Sequence, residues 1–144
     1  MTAPRRKVMI VPVRMGRDWE VLVLRRGPSK GGVWAPVTGN VEPGESDDEA
    51  AARELEEETG LRTASALHRT GFVNRFEKEV GGGPVRFEEP VWAAVVRQGH
   101  GVRLSREHVE ARWVGAAEAV ALVAFEGCKE GVRRAVAAVE GQLR

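Results

Sequence analysis

Short runs of apolar and β-branched residues, separated by polar turns, make up the N-terminal part of the chain. Lys7–Val13 and Glu20–Leu24 are two such runs, and the polar turn at 16–18 between them predicts a hairpin-like pair of strands. A glycine-rich loop over 27–32 follows and leads into a short extended piece over 34–39. This part of the chain is therefore predicted to belong to a β-sheet.

The clearest helix of the sequence is predicted over Asp47–Thr59. Ser46, which stands three residues before Glu49, fits a capping box in which each side chain accepts a hydrogen bond from the backbone amide of the other residue. Gly60 is expected to end the helix as a left-handed C-terminal cap. Leu55 lies with Ala51 and Thr59 on one flank, which is expected to anchor the helix to the sheet.

The rest of the chain continues the alternation of strands and helices. Two further long strands are expected to be joined by a flexible glycine-rich turn over 81–84, and the last helix carries valines and alanines on one face. The order of elements predicts an α/β fold in which a mixed β-sheet is sandwiched between α-helices in three layers. The predicted segments are strands Ala64–Lys78, Val85–Val96 and Glu110–Val114, and helices Ala116–Val123 and Lys129–Leu143.

The composition is that of one soluble globular domain, because 42% of the 144 residues are hydrophobic and 30% are charged. With 22 basic and 21 acidic residues, the net charge of +1 gives no field that would indicate a nucleic-acid polymer or an anionic membrane as partner. No apolar run approaches the roughly 20 residues of a membrane span. Cys128 is the sole cysteine, so we expect a core thiol, no intrachain disulfide and a cytoplasmic location.

Acidic residues are concentrated around the predicted central helix. From Glu42 to Glu58 there are nine carboxylates and a single basic residue, Arg53. Glu54, Glu57 and Glu58 stand at helical spacings that put them on one face, where their mutual repulsion favours a bound cation. Oxygen ligands of this kind suit Mg²⁺, with Mn²⁺ as a substitute. A solvated, exposed face is the ordinary explanation of such a run, and the helical spacing alone leaves both interpretations open.

A longer pattern surrounds these glutamates: Gly39-x5-Glu45-x7-Arg53-Glu54-Leu55-x-Glu57-Glu58-x-Gly60-Leu61. It resembles the Nudix box of MutT-like hydrolases with no position missed, and average composition makes a chance match on the order of one in 10⁹ per start site. The resemblance implies the Nudix fold. It also implies Mg²⁺-dependent hydrolysis of a phosphoanhydride bond in a small diphosphate or triphosphate molecule.

The resemblance assigns roles to residues of the box. Glu57 and Glu58 correspond to metal ligands, and Glu54 corresponds to a further ligand or to the group that orients the attacking water. The backbone carbonyl of Gly39 is expected to complete the metal shell. Together, these assignments give a catalytic and metal-binding set made of Gly39, Glu54, Glu57 and Glu58.

Arginines are expected in two roles. Arg53 is expected to hold the box together through charge-assisted hydrogen bonds to Glu45 or Glu57, as the resemblance implies. Arg25 and Arg26 leave a strand just before the glycine-rich loop, and either can clamp a phosphate. An ordinary surface pair is the alternative for these two arginines.

A general base is expected outside the box. The segment Ser105–Trp113 contains a Glu-His-x-x-x-x-Trp pattern that resembles the dihydroneopterin triphosphate pyrophosphohydrolases of the family, which makes Glu107 the first candidate. Glu88 and Glu89 are the second candidates. A solvated loop carboxylate is the alternative explanation for Glu107.

The aromatic and imidazole side chains give weaker indications. Trp34 lies close to the box and is a candidate to stack on a base or pterin ring, with a core or loop-anchoring role as the equal alternative. The remaining tryptophans are assigned to packing, and the histidines, which show no ligand spacing, are expected to be surface or hydrogen-bonded residues. These are Trp19, Trp92 and Trp113, and His68, His100 and His108.

Substrate indications come from outside the box. Family members that cleave ADP-ribose usually carry a proline where this chain has Arg75–Glu77, and many dinucleoside polyphosphate hydrolases carry a tyrosine, which this chain lacks. The segment Trp34–Glu42 resembles the pterin triphosphate enzymes, so a pterin or nucleoside triphosphate is favoured. The alternatives are a dinucleoside polyphosphate or ADP-ribose hydrolase, and a non-catalytic nucleotide-binding regulatory module. A homodimer is expected by family analogy only.

Overall fold

The computed structural model describes residues 3–62 and 66–142, and within them a seven-stranded β-sheet is flanked by helices. The strands are β1 Arg5–Met15, β2 Trp19–Arg26, β3 Trp34–Ala35, β4 Val37–Asn40, β5 Leu67–Val80, β6 Gly83–Val95 and β7 His108–Gly115. The helices are α1 Asp47–Thr59, α2 Ala116–Leu122 and α3 Glu126–Gln142, and a short 3-10 turn spans Pro28–Lys30.

The sheet is mixed, as the sequence predicted. Its strands run in the order β3-β2-β1-β6-β5, with β4 paired to β1 and β7 paired to β2. The β1 and β6 strands are parallel, whereas the other pairs are antiparallel. A parallel pair needs a long crossover between its strands, and the segment from β2 to β5, which includes α1, provides it.

Alternation along β1 separates two buried clusters of side chains on opposite faces of the sheet. Val8 and Ile10 pack with Leu55 of α1 on one face, while Met9 and Val11 pack against α2 and α3 on the other. Helices therefore cover both faces, which confirms the predicted three-layer sandwich. Because β1 is buried on both faces, it reads as a nearly continuous apolar run.

The α1 helix has the ends that the sequence predicted. Ser46 and Glu49 form both hydrogen bonds of the capping box, and Gly60 ends the helix at a φ of 75°. Leu55 and Thr59 are fully buried against the sheet, and the Thr59 hydroxyl donates a 2.5 Å hydrogen bond to the Leu55 carbonyl. This flank fixes the rotation of the helix and so the direction of its glutamates.

Several element ends differ from the predicted ones. The β5–β6 hairpin is longer at its tip, where a tight turn over Gly81 and Gly82 with positive φ is shorter than the predicted flexible turn over 81–84. The α3 helix begins at Glu126, one turn before the predicted start at Lys129. Two predicted ends, Ala64 and Leu143, lie outside the described residues.

Side chains assigned to packing lie in or against the core. Trp19 and Trp92 are buried, Trp113 packs against the α1 side of the sheet, and Cys128 is buried in α3. Among the helices of the described residues, none combines the length and apolar character needed to cross a lipid bilayer.

Candidate functional site

A cavity of about 820 Å³ opens between α1, the end of the sheet and the segment before β7. One part of its lining is acidic and the other is basic, although the chain as a whole is almost neutral. The acidic residues are Glu42, Glu54, Glu57, Glu58 and Glu107. The basic residues, apart from Arg53, are Lys7, Arg26, Lys30 and Lys78.

Arg53 joins the carboxylates of the box to one another. Its guanidinium forms a two-pronged contact with Glu45, at 2.7 Å from Nε and 2.9 Å from Nη2, and Nη2 also donates to the Asn40 carbonyl at 2.9 Å. The Nη1 atom donates to Glu54 at 2.8 Å and to Glu57 at 3.1 Å. The loop before α1 and the helix itself are therefore held by a single side chain.

Glu45 is the strongest partner of this arginine. The hydrogen bonds from Arg53, helped by the turn contact with Glu42, lower the pKa of the Glu45 carboxyl to about 2. The Glu45 side chain also accepts a 2.9 Å hydrogen bond from the Glu42 amide, which fixes the turn. Glu45 is thus ionised at any ordinary pH and keeps the guanidinium of Arg53 in place.

Glu54 packs against the backbone of β4 at Gly39. A Cβ atom at Gly39 would lie 2.0 Å from the Glu54 Cδ, so only glycine leaves room for the carboxylate. Burial raises the pKa of Glu54, and its hydrogen bond with Arg53 opposes that effect. The Glu54 carboxylate therefore occupies space that is free only because Gly39 has no side chain.

Glu58 lies deeper in the cavity and has two neighbours, one from the segment before β7 and the other the first residue of β7. The Ser105 hydroxyl donates a 2.6 Å hydrogen bond to Glu58 Oε2, and His108 Nδ1 lies 2.8 Å from the same oxygen. The imidazole contact is close but lacks the alignment of a hydrogen bond. Burial lowers the pKa of His108 although Glu58 opposes the shift, which favours a neutral ring.

Ser105 and His108 were not assigned to the site from the sequence. Both belong to the segment that was singled out for Glu107, but His108 was expected at the surface or in an ordinary hydrogen bond. Its side chain is 6% exposed and faces the box. Periodicity could not reveal this contact, because it joins residues fifty positions apart across a loop.

The three helical glutamates of the box line one cavity, as their spacing predicted, but they differ in environment. Glu54 and Glu58 are buried, whereas the Glu57 side chain is 54% exposed and points to the open part of the cavity. In residues 3–62 and 66–142, no three acidic, histidine or cysteine side chains already form a metal site. The Arg53 guanidinium lies between Glu54 and Glu57 instead.

The donor set nevertheless fits a hard divalent cation. Glu54, Glu57 and Glu58 offer carboxylate oxygens in one cavity, and the lining of that cavity also includes Gly39, which packs against Glu54. One arginine cannot neutralise all the carboxylates that surround it. The excess negative charge favours an additional cation over a second buried anion.

The candidate bases lie in different places. Glu107 lines the cavity, and its exposed carboxylate is 3.7 Å from the Lys30 ammonium. Glu88 points away from the cavity and pairs with Arg75 at 3.1 Å. Glu89 is buried in an adjoining pocket, where Asn74 donates a 3.1 Å hydrogen bond to it. Of the three, only Glu107 shares the cavity of the box.

Arg25 and Arg26 point to different sides of β2, and only Arg26 lines the cavity. The Arg26 guanidinium donates to the Thr38 hydroxyl at 3.2 Å. Arg25 donates to the Gly32 carbonyl at 3.2 Å and lies 3.9 Å from Glu110. The predicted phosphate contact of Arg25 is therefore corrected, because neighbouring strand residues face opposite ways.

Trp34 also requires a correction. It does not line the cavity but packs against the core on the α2 and α3 side, and its backbone carbonyl accepts a 3.1 Å hydrogen bond from the Ala124 amide. The Arg112 guanidinium lies 5.7 Å above its ring. Its proximity to the box in sequence does not bring it there in space, so the anchoring alternative describes Trp34.

Several relatives share sequence with this chain. It is 41% identical over 135 residues to an octanoyltransferase from Myxococcus xanthus, a match that covers 93% of this chain and 37% of that protein. It is 40% identical over 101 residues to an asymmetrical bis(5'-nucleosyl)-tetraphosphatase from Sus scrofa, which covers 67% of this chain and 65% of that protein. The chain thus spans between 37% and 65% of the length of these relatives.

Solved structures share the fold along nearly the whole chain. A C. elegans Ap4A hydrolase in a binary complex has a TM-score of 0.77 at 25% identity, covering 95% of this chain and 98% of that one. The E. coli dihydroneopterin triphosphate pyrophosphohydrolase has a TM-score of 0.81 at 22% identity, covering 95% of this chain and 99% of that one. Because its sequence identity is only 22%, the similarity to the E. coli enzyme shows a shared fold and nothing further.

The sequence itself also matches a family model. This family model, described as the NUDIX domain, matches residues 3–135, a range that includes the whole box, α1, α2 and the first part of α3. This match agrees with the box pattern, the sandwich and the structural relatives. The chain belongs to the NUDIX domain family.

Proposed function

We propose that this protein is a Mg²⁺-dependent pyrophosphohydrolase that cleaves a phosphoanhydride bond in a small molecule. One observation carries the proposal: the carboxylates of α1 and a set of lysine and arginine side chains line the same cavity. A diphosphate needs cationic contacts along its oxygens and a metal at the reacting phosphorus. This cavity offers groups suited to both needs.

In this proposal, Glu54, Glu57, Glu58 and the Gly39 carbonyl would hold the ion. Mg²⁺ held there would supply charge neutralisation for the phosphates and activation of water as the nucleophile. Arg53 keeps the glutamates in position through its contacts with Glu45, Glu54 and Glu57. Arg53 is therefore a positioning residue of the site.

The basic part of the cavity binds the phosphates. Arg26 is oriented by its hydrogen bond with Thr38, and Lys7, Lys30 and Lys78 supply further positive charge. Burial lowers the pKa of Lys7, while the nearby Glu89 raises it. Glu107 is the proposed general base, because it is the one of the three candidate carboxylates that lines the cavity of the box.

A pterin or nucleoside triphosphate is the proposed substrate, which would release pyrophosphate and a monophosphate. A dinucleoside polyphosphate is the second candidate, because one relative at 40% identity is named a bis(5'-nucleosyl)-tetraphosphatase. We do not propose the activity named for the octanoyltransferase, because the match covers 37% of the length of that protein.

A substrate panel tests the proposal. Purified protein with Mg²⁺ is incubated with nucleoside triphosphates, a pterin triphosphate, dinucleoside tetraphosphates and ADP-ribose, and the products are separated and identified. Hydrolysis of a triphosphate to pyrophosphate and a monophosphate supports the favoured substrate class. Binding of nucleotides without turnover of any compound would instead support a regulatory, non-catalytic module.

Glu57→Gln tests the metal assignment. The substitution removes one charged ligand and keeps the shape, so we expect turnover to fall by at least about 10²-fold with an unchanged melting temperature. Glu56→Gln is the matched control, because Glu56 lies on the same helix and pairs with Arg62 outside the cavity. A loss of less than about threefold in Glu57→Gln would contradict the assignment.

A further inference from the structure

A second pocket of about 440 Å³ adjoins the cavity of the box. The two spaces share part of their lining, namely Lys7, Arg26, Thr38, Lys78 and Phe125. A molecule whose phosphates lie against the shared cations can therefore extend its remaining group into the second pocket. The size suits a planar bicyclic ring, and pockets of this range commonly hold small ligands.

The deepest polar group of this pocket is the Glu89 carboxylate. Glu89 is 3% exposed and pairs directly across the β5–β6 ladder with Asn74. The Asn74 amide donates a 3.1 Å hydrogen bond to Glu89 Oε1, and no other hydrogen bond to this carboxylate is formed in the described part of the chain. A Cβ at Gly127 would lie 2.2 Å from Asn74 Oδ1, so the first turn of α3 closes directly over the amide.

The groups around Glu89 offset part of the cost of its burial. The pKa of Glu89 is raised above its ordinary value, because the effect of burial exceeds the opposing effects of the Asn74 hydrogen bond, Lys7 and Arg26. The other titratable groups that line the pocket are Glu77 and Lys78 from β5 and Cys128 from α3. Burial also raises the pKa of the Cys128 thiol to about 11, which keeps it neutral beside the carboxylate.

The remaining walls of the pocket are apolar and aromatic. Phe76 comes from β5, and Phe125 stands at the entrance just before α3, where its side chain is exposed. Flat aromatic walls favour stacking of a planar ring, and a buried carboxylate at the end favours hydrogen-bond donors on the edge of that ring. The walls and the carboxylate therefore define both the shape and the polarity of the ligand.

We propose that Glu89, positioned by Asn74, selects substrates whose ring carries two adjacent N–H donors on one edge. Guanine, a 2-amino-6-oxopurine, and pterin, a 2-amino-4-oxopteridine, share this pattern. The inference rests on the proposed function and specifies its substrate class. Because an ionised carboxylate only accepts hydrogen bonds, two parallel N–H groups pair with it, as they do when a guanidinium meets a carboxylate.

Other bases lack this complement. Hypoxanthine keeps the ring N–H but has no 2-amino group, and adenine presents an unprotonated ring nitrogen toward the carboxylate. With either base, the buried Glu89 carboxylate lacks a hydrogen-bond donor that guanine provides, so the base binds more weakly. Loss of a bidentate contact of this kind corresponds to roughly a tenfold or greater loss in selectivity.

The test compares GTP, ITP and ATP, since ITP differs from GTP only by the 2-amino group. For the native protein we expect kcat/KM for GTP to exceed that for ITP and for ATP by about tenfold or more. In Glu89→Gln, the new amide opposes the donors of guanine, so the preference falls to within about threefold. Glu88→Gln, on the opposite side of the same strand, is the matched control and keeps the preference.

Binding of GMP, IMP and AMP by calorimetry separates this inference from the proposed function. If no triphosphate is hydrolysed, the proposed function fails, and tighter binding of GMP than of IMP and AMP still supports the role of Glu89. Equal kcat/KM values for the three triphosphates, or equal or undetectable binding of the three monophosphates, overturn the inference. Retention of the full GTP preference in a folded Glu89→Gln protein overturns it as well.

Discussion

At the residue scale, Gly39 shows how a missing side chain shapes the site. Its backbone approaches Glu54 so closely that Gly39→Ala must displace the carboxylate. We expect this variant to lose about 10²-fold in turnover, because a shift of about 1 Å in a reacting group has that effect. Gly83→Ala is the control, since Gly83 has open space around it and begins β6 at the tip of the hairpin. Equal activities of the two variants would contradict this role.

The sequence predicted the residues of the box but not their neighbours, for a physical reason. Gly39, Arg53 and the helical glutamates are recognisable because helix geometry fixes their spacing. Ser105 and His108 reach Glu58 only through the path of a loop, and no local pattern encodes that path. Loop residues that meet a helix in space are therefore found by structure alone.

At the scale of elements, the loop before α1 is tied to the helix by the Arg53–Glu45 pair, and the pair predicts a dependence on acid. The folded pKa of Glu45 is about 2, below its ordinary value of 4.5. The stabilisation is fully present above the ordinary pKa and is lost as the pH falls toward the folded pKa. The loss therefore begins near pH 4.5 and is complete only near pH 2.

Urea unfolding at about pH 6 and about pH 3 measures this effect. We expect Glu45→Gln to be less stable than the native protein at the higher pH and to lose less stability between the two values. Glu56→Gln, on the same helix, should follow the native protein. A Glu45→Gln variant whose pH dependence equals that of the native protein would show that the pair does not couple to folding.

Prediction of elements succeeded where local rules were strong. The capping box and Gly60 defined both ends of α1, and alternation defined the two faces of β1. Alternation along β2 indicates that Arg25 and Arg26 face opposite ways, but it does not indicate which of the two faces the cavity. That depends on where the cavity lies relative to the sheet, which the residues of β2 alone do not encode.

At the scale of the whole molecule, the net charge of +1 conceals a strong separation of charge. The fold brings the acidic face of α1 opposite the basic residues of β1, β2 and β5. A cavity with both signs of charge is suited to a metal ion that binds together with a phosphate. A metal ion alone, or a phosphate alone, would be attracted by one wall of the cavity and repelled by the other. Overall composition gave no indication of a polyanion partner, and it could not have predicted this internal arrangement.

The same separation predicts that the ion stabilises the folded protein, because the unfolded chain does not hold the carboxylates together. At about ten times its dissociation constant, Mg²⁺ is expected to add about 1.4 kcal/mol of stability. For a chain of this length, that corresponds to a rise of about 4 °C in the melting temperature. Differential scanning fluorimetry with MgCl₂, against NaCl of equal ionic strength, measures the rise without reference to activity.

The decisive comparison is the Mg²⁺-dependent shift in a Glu54→Gln/Glu57→Gln double variant, whatever its own melting temperature. Removing two of the three helical carboxylates that line the cavity should reduce the shift to below about 1 °C. Glu56→Gln/Glu79→Gln removes the same charge outside the cavity and should keep the full shift, which excludes a general effect of net charge. Equal shifts in both double variants would place the ion elsewhere on the molecule and remove the basis for the proposed chemistry.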